Sequence, residues 1–171
     1  MSPRRATKTA AELMAELQAD REVVEQPAQR EQELRAREAA WREAEAPLVE
    51  ELRAAGVAVD SVWDLVNTSA PYPAAVPILL AHLERGDYPD RVREGIARAL
   101  AVPEADADVL LRLYRAEPAS TDAKQGLAVA LATAAADRVD ELAALAADPA
   151  HGSSRLLLLK ALEGSPEGLS A

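Results

Sequence analysis

The 171-residue sequence has no cysteine and no phenylalanine. Without thiols, disulfides and thiolate metal sites are excluded. Aromatic residues are reduced to Trp41, Trp63, Tyr72, Tyr88 and Tyr114, so the apolar content of 49% rests mainly on alanine and leucine. Those two residues head the helix-propensity scale, whereas strands favour β-branched and aromatic side chains. The composition therefore predicts an all-α protein. No apolar run is long enough to span a membrane and no signal-peptide core is present, so a soluble, cytoplasmic protein is expected.

Basic residues are also short: 19 against 29 acidic ones, for a net charge of −10. Met1 to Gly56 carries 9 basic and 12 acidic residues and the remainder 10 and 17, so neither part has the excess needed to neutralise phosphates. Nucleic acid is thus disfavoured as a partner. The seven glycines are scattered and form no phosphate-cradling loop. His82 and His151 are isolated, outside any H-x-x-x-H, H-E-x-x-H or G-x-S-x-G spacing. Asp64 beside Trp63 is the least implausible acid–base group, and a charge at a helix start explains it equally well. No enzymatic activity, metal or cofactor is expected.

What is present divides into three stretches. Residues 1–46 form a charged, Ala-rich arm or hairpin. One helix starts near Thr9 with Leu13, Met14 and Leu17 on one face, and Pro27 is expected to break it and start a second. Leu34, Trp41 and Leu48 recur every seven residues, but Arg37, Glu38 and Glu45 hold the intervening positions, too polar for a coiled coil. Pro47 reads as a further helix start and Gly56 as its C-terminal cap, followed by a short helix after Asp60. Residues 47–164 form the helical-repeat domain, and 165–171 a tail.

The second half repeats itself. Val92-Arg93-Glu94-Gly95-Ile96-Ala97-Arg98-Ala99-Leu100 returns 31 residues later as Ala123-Lys124-Gln125-Gly126-Leu127-Ala128-Val129-Ala130-Leu131. It returns again, after another 31, as Ser154-Arg155-Leu156-Leu157-Leu158-Leu159-Lys160-Ala161-Leu162. Leu80, Leu111 and Leu142 keep the same step, as do Leu83, Tyr114 and Leu145. A period holding two helices is the signature of an α-solenoid. Pro89, Ser120 and Ser153 sit at the expected starts of the second helices, and Asp137 can cap the helix holding Leu142. Gly95 and Gly126 are equivalent mid-helix positions, where glycine costs about 1 kcal/mol relative to alanine. Their pairing predicts close backbone approach between neighbouring helices.

The V-R-x-G-I-A-R-A-L string from Val92 to Leu100, with its two echoes, resembles the second helix of HEAT repeats, and is most similar to the short bacterial variety first noted in phycobiliprotein lyases. The resemblance covers about Pro71 to Gly164, with a further helix pair from Pro47 to Asn67. It implies a short right-handed α-α superhelix whose second helices line a concave side. The third echo departs from the pattern, with Ser154 at the valine position and Leu157 at the glycine position.

In that register Arg93, Lys124 and Arg155 are equivalent, and Arg91, Arg98 and Lys160 extend the basic character. Two readings of this ladder stand. It is a partner-binding site for an acidic protein segment, or it is the structural basic residue that the HEAT resemblance implies, reaching a carboxylate or helix-end carbonyl next door. Asp90 and Asp122 are nearby counter-ion candidates. Leu156 to Leu159 turn through roughly 400°, so one leucine at least faces away from the preceding repeat. The tail or arm, another subunit through a Leu156–Leu162 contact, or a partner can cover it. The function expected is a non-enzymatic protein–protein interaction module, adaptor or immunity/antitoxin-like. The HEAT resemblance also admits a nucleic-acid-binding or base-excision protein, or a bilin-lyase-like ligand binder. The former needs a basic groove with Trp and Asp, and Trp63 lies outside the clear repeats.

Overall fold

The computed structural model of the chain describes residues 9–164, apart from the side chains at positions 22, 24 and 25. The tail expected at 165–171 lies outside the described residues. Among those described, all regular structure is helical: α1 (Ala10–Ala54), α2 (Val62–Val66), α3 (Ala75–Arg85), α4 (Asp90–Ala99), α5 (Ala107–Ala116), α6 (Asp122–Ala134), α7 (Val139–Ala147) and α8 (Arg155–Glu163). A 3₁₀ turn, Pro149–Ser154, leads into α8. The chain separates into two compact units, one ending at Ala40 and the other beginning at Trp41.

The first unit is the N-terminal part of α1. Thr9 and Glu12 form a capping box, in which the Thr9 hydroxyl accepts from the Glu12 N–H at 3.3 Å and the Glu12 carboxylate accepts from the Thr9 N–H at 2.7 Å. Those bonds hold the Glu12 carboxyl below its usual pKa. All described side chains up to Ala40 are exposed, including Leu13, Met14, Leu17 and Leu34. The expected break at Pro27 does not occur: α1 runs through it, and there is no hairpin.

Nor does Pro47 start a helix. The α1 face formed by Trp41, Ala44, Glu45, Leu48, Val49 and Leu52 turns into the core of the second unit, and Leu48 and Leu52 are fully buried. Two buried leucines contribute about 1.5–3 kcal/mol each, enough to offset the roughly 3 kcal/mol cost of an interior proline. Pro47 itself lies on the exposed side. The helix ends as expected at Gly56, whose φ of 87° closes a Schellman motif: Gly56 N–H bonds Arg53 C=O at 3.0 Å and Val57 N–H bonds Leu52 C=O at 2.9 Å.

In the second unit α3 packs on α4, α5 on α6, and α7 on α8, while the second members also pack in series, α2 on α4, α4 on α6, and α6 on α8. Positions one period apart share their burial: Ile96, Leu127 and Leu158 are fully or almost fully buried, as are Leu83, Tyr114 and Leu145 to within a few per cent. The glycine expectation is met. A Cβ on Gly126 would stand 2.8 Å from the Glu94 carbonyl oxygen and 3.0 Å from the Ala97 Cβ, so α6 lies directly against the α4 backbone. A Cβ on Gly95 would meet Val62 Cγ1 at 2.8 Å and the Trp63 indole at 3.0 Å. Two caps fall one residue from their expected places. Thr121 rather than Ser120 caps α6, and α7 follows Arg138, without a side-chain cap, rather than Asp137. Ser153 lies inside the 3₁₀ turn, and α8 begins at Arg155.

Candidate functional site

The basic ladder is the candidate that the sequence singles out, and the structure distributes its members unequally. Arg93 leaves α4 and forms a two-pronged ion pair with Glu117, in the turn between α5 and α6 of the next repeat; the Nη1 bond is 2.9 Å. Its Nε is buried without a partner. Thr121 donates its hydroxyl to the same carboxylate at 2.8 Å, so Glu117 joins α4 to the start of α6.

Lys124, the equivalent residue on α6, is only 1% exposed. Its ammonium turns back to the C-terminal end of α5, donating to the Tyr114 carbonyl and, at 3.0 Å, to the Glu117 carbonyl. These helix-end carbonyls carry the negative end of the α5 dipole and suit a cation. Nζ also lies 3.9 Å from the Tyr114 ring centroid and 3.1 Å from His151 Nδ1. Burial pushes the lysine pKa down, with Glu117 and Asp148 acting the other way. Burial and the nearby Lys124 push the His151 pKa down as well, so a neutral imidazole accepts from the ammonium. Lys124 therefore offers no charge to a partner.

Arg155 has no such use. It is half-buried at the start of α8, and no hydrogen bond or ion pair engages its side chain among the described residues. Lys160, one turn on, is exposed and unpaired in the same sense. Arg91 and Arg98 share one anion, Glu94, which is itself buried; the bonds are 2.6 Å from Arg91 Nη1 and 2.8 Å from Arg98 Nε. Arg91 also stacks on Trp63, its guanidinium carbon 4.0 Å from a ring centroid. Asp90, expected as a counter-ion of the ladder, instead caps α6 across the repeat boundary, accepting from Asp122 N–H at 2.7 Å and Ala123 N–H at 2.9 Å.

Two buried polar groups, Glu45 and His82, carry no motif in the sequence, and the exposed Asp64 lies beside the first. Glu45 of α1 accepts from the Ser61 hydroxyl and the Val62 N–H, each at 3.1 Å, and so fixes α2. Asp64 completes the α2 capping box, accepting from Ser61 N–H at 3.1 Å; its charge serves the helix start. His82, expected at the surface or its boundary, is buried between Tyr88, 2.6 Å from Nδ1, and Glu51, 2.7 Å from Nε2. The Glu51 carboxylate can only accept, so Nε2 carries the proton and Nδ1 accepts from the phenol. Burial pushes the Tyr88 pKa up and keeps that phenol protonated. A protonated phenol is a poor nucleophile, and the chain Tyr88–His82–Glu51 joins α3 and its following turn to α1.

A further exposed feature is on α8. Leu156 is 58% and Leu159 40% exposed, while their neighbour Leu158 is fully buried. An open depression of about 360 Å³, bordered by Leu65, Tyr72, Val76, Arg98 and Val102, lies beside the end of α4. It stands at the lower end of the range for small-molecule sites. No group of His, Asp or Glu placed to hold a metal ion occurs among the described residues. No helix among them is long and apolar enough to cross a membrane. Comparison with protein-family models, with curated proteins and with solved structures finds no match to this chain.

Proposed function

We propose that this chain is a HEAT-like helical-repeat protein that acts, without catalysis, by binding another protein. In this reading the helix pairs form a short right-handed superhelix, and the face of α4, α6 and α8 is the docking side of a cytoplasmic interaction module. The observation that carries it is the contrast within the basic register. Arg93 and Lys124 are consumed in joining repeats, whereas Arg155 and Lys160 have no ion-pair partner among the described residues and stand beside two exposed leucines. Arg91 and Arg98 add one net positive charge over Glu94. In a chain of net charge −10, this is where an acidic segment gains complementary charge.

The test is capture from native-host lysate by the tagged chain, compared with an Arg91→Gln/Lys160→Glu variant. Arg98 is retained there so that Glu94 keeps an ion pair. The expected result is one stoichiometric acidic protein, lost on the variant and on raising salt, with the unfolding midpoint unchanged. Capture of no stoichiometric protein, or of one indifferent to both substitutions and salt, overturns the reading.

A further inference from the structure

The series α4–α6–α8 shows what the outer side of each second helix is for. On α4, three residues besides the capping Asp90 contribute to the interface with the following repeat. Arg93 reaches Glu117, and the Glu94 backbone and Ala97 Cβ form the platform on which Gly126 rests. Two periods on, those positions are Arg155, Leu156 and Leu159. On α8 they are, respectively, an unpaired cation and two exposed leucines. The same positions that bind the next helix inside the chain are thus unoccupied on α8 among the described residues. Their chemistry is more apolar than that of Glu94 and Ala97.

We propose that a second copy of this chain supplies the occupant, with α8 packed antiparallel against α8 of the other copy about a two-fold axis near Leu159. Charge selects this arrangement. Arg155, Leu159 and Glu163 lie four residues apart on one stripe of α8, and Glu163 is exposed and has no ion-pair partner among the described residues. An antiparallel pair centred on Leu159 sets each Arg155 against the other copy's Glu163 and closes water from Leu156 and Leu159. Being isologous, the contact closes at two copies. The inference rests on the repeat reading above, because it treats α8 as the equivalent of α4. It does not need a hetero-partner, so partner capture and dimerisation can fail separately.

Sedimentation velocity on the full chain tests it. Wild type is expected to pass from monomer to dimer as concentration rises to about 100 μM, where a micromolar Kd populates the dimer. Leu156→Glu with Leu159→Glu is expected to raise Kd at least tenfold, because it replaces the apolar contact by carboxylates that the dimer would have to desolvate. Arg155→Glu alone and Glu163→Arg alone each weaken it. Mixing those two single variants restores it, because every contact between them again pairs opposite charges. A monomer throughout the range, a dimer indifferent to the leucines, higher oligomers, or no recovery on mixing would overturn the proposal. A chain ended at Gly164 that dimerises where the full chain does not would also overturn it, assigning the occupant to residues 165–171.

Discussion

The helices α6 and α8 hold equivalent places in the repeat, yet one is closed on both sides and the other on one. In α6, Gly126 lets the helix touch α4, Ala128 is fully buried, and α6 also packs on α8. In α8 the same two positions are leucines, Leu157 half-buried and Leu159 exposed. The cations differ likewise: Lys124 is spent on the carbonyls ending α5, and the Arg155 side chain has no hydrogen-bond or ion-pair partner among the described residues. One sequence pattern therefore yields a helix packed on both sides at α6 and a helix with an exposed apolar side at α8 among the described residues.

The largest effect should come from reversing charge in the two places. Lys124→Glu sets a buried carboxylate against two carbonyls and beside Glu117, and should cost about 3–5 kcal/mol or prevent folding. Arg155→Glu, one period on, should move stability by no more than about 0.5 kcal/mol. Thermal unfolding followed by circular dichroism measures both, and equal losses would erase the distinction between α6 and α8.

Next in size is the glycine pair. Gly126→Ala drives a Cβ into the α4 backbone, which cannot step aside as a side chain can, and should cost about 1–3 kcal/mol. Gly95→Ala meets the side chains of Val62 and Trp63 and gains about 1 kcal/mol of helix propensity, so its net loss should be smaller. Denaturant midpoints of the two variants give the order directly. The reverse order would mean that α4 and α6 are not held backbone to backbone.

A smaller effect attaches to His151. Its folded pKa lies below the unfolded value near 6.5, so the unfolded chain takes up the proton first as pH falls. Stability contributed here is complete above about pH 6.5 and is lost as pH falls through the lower folded pKa. Lys124, Asp148 and Arg115 are the charged groups acting on it, and Asp148 opposes the shift. Replacing His151 by Gln should flatten that limb of the stability–pH curve without changing the plateau near neutrality. An unchanged acid limb would remove His151 from the account.

The sequence shows the period, the hairpin succession and the close approach at Gly95 and Gly126, because a mid-helix glycine repeated at one position is costly without a packing reason. It also shows that four consecutive leucines exceed one helical face. Three things lie beyond it. The breaker rule at Pro47 is local, whereas the burial of Leu48 and Leu52 that outweighs it is tertiary. Glu45 and His82 look like surface charge because their partners, Ser61 and Glu51, lie 16 and 31 residues away. Lys124 shares its register with Arg93, but spacing says nothing of which way a long side chain bends, and that choice removes it from the candidate surface.

Hydrogen exchange of the wild-type chain at low and high concentration puts the comparison of α6 with α8 to the most direct test. The account predicts that α6 amides exchange equally slowly at about 1 and 100 μM, while those of Leu158 to Glu163 slow at the higher concentration. With Leu156→Glu and Leu159→Glu that slowing should disappear. Exchange in α8 that does not depend on concentration would contradict the claim that its outer face completes the stack with a second copy.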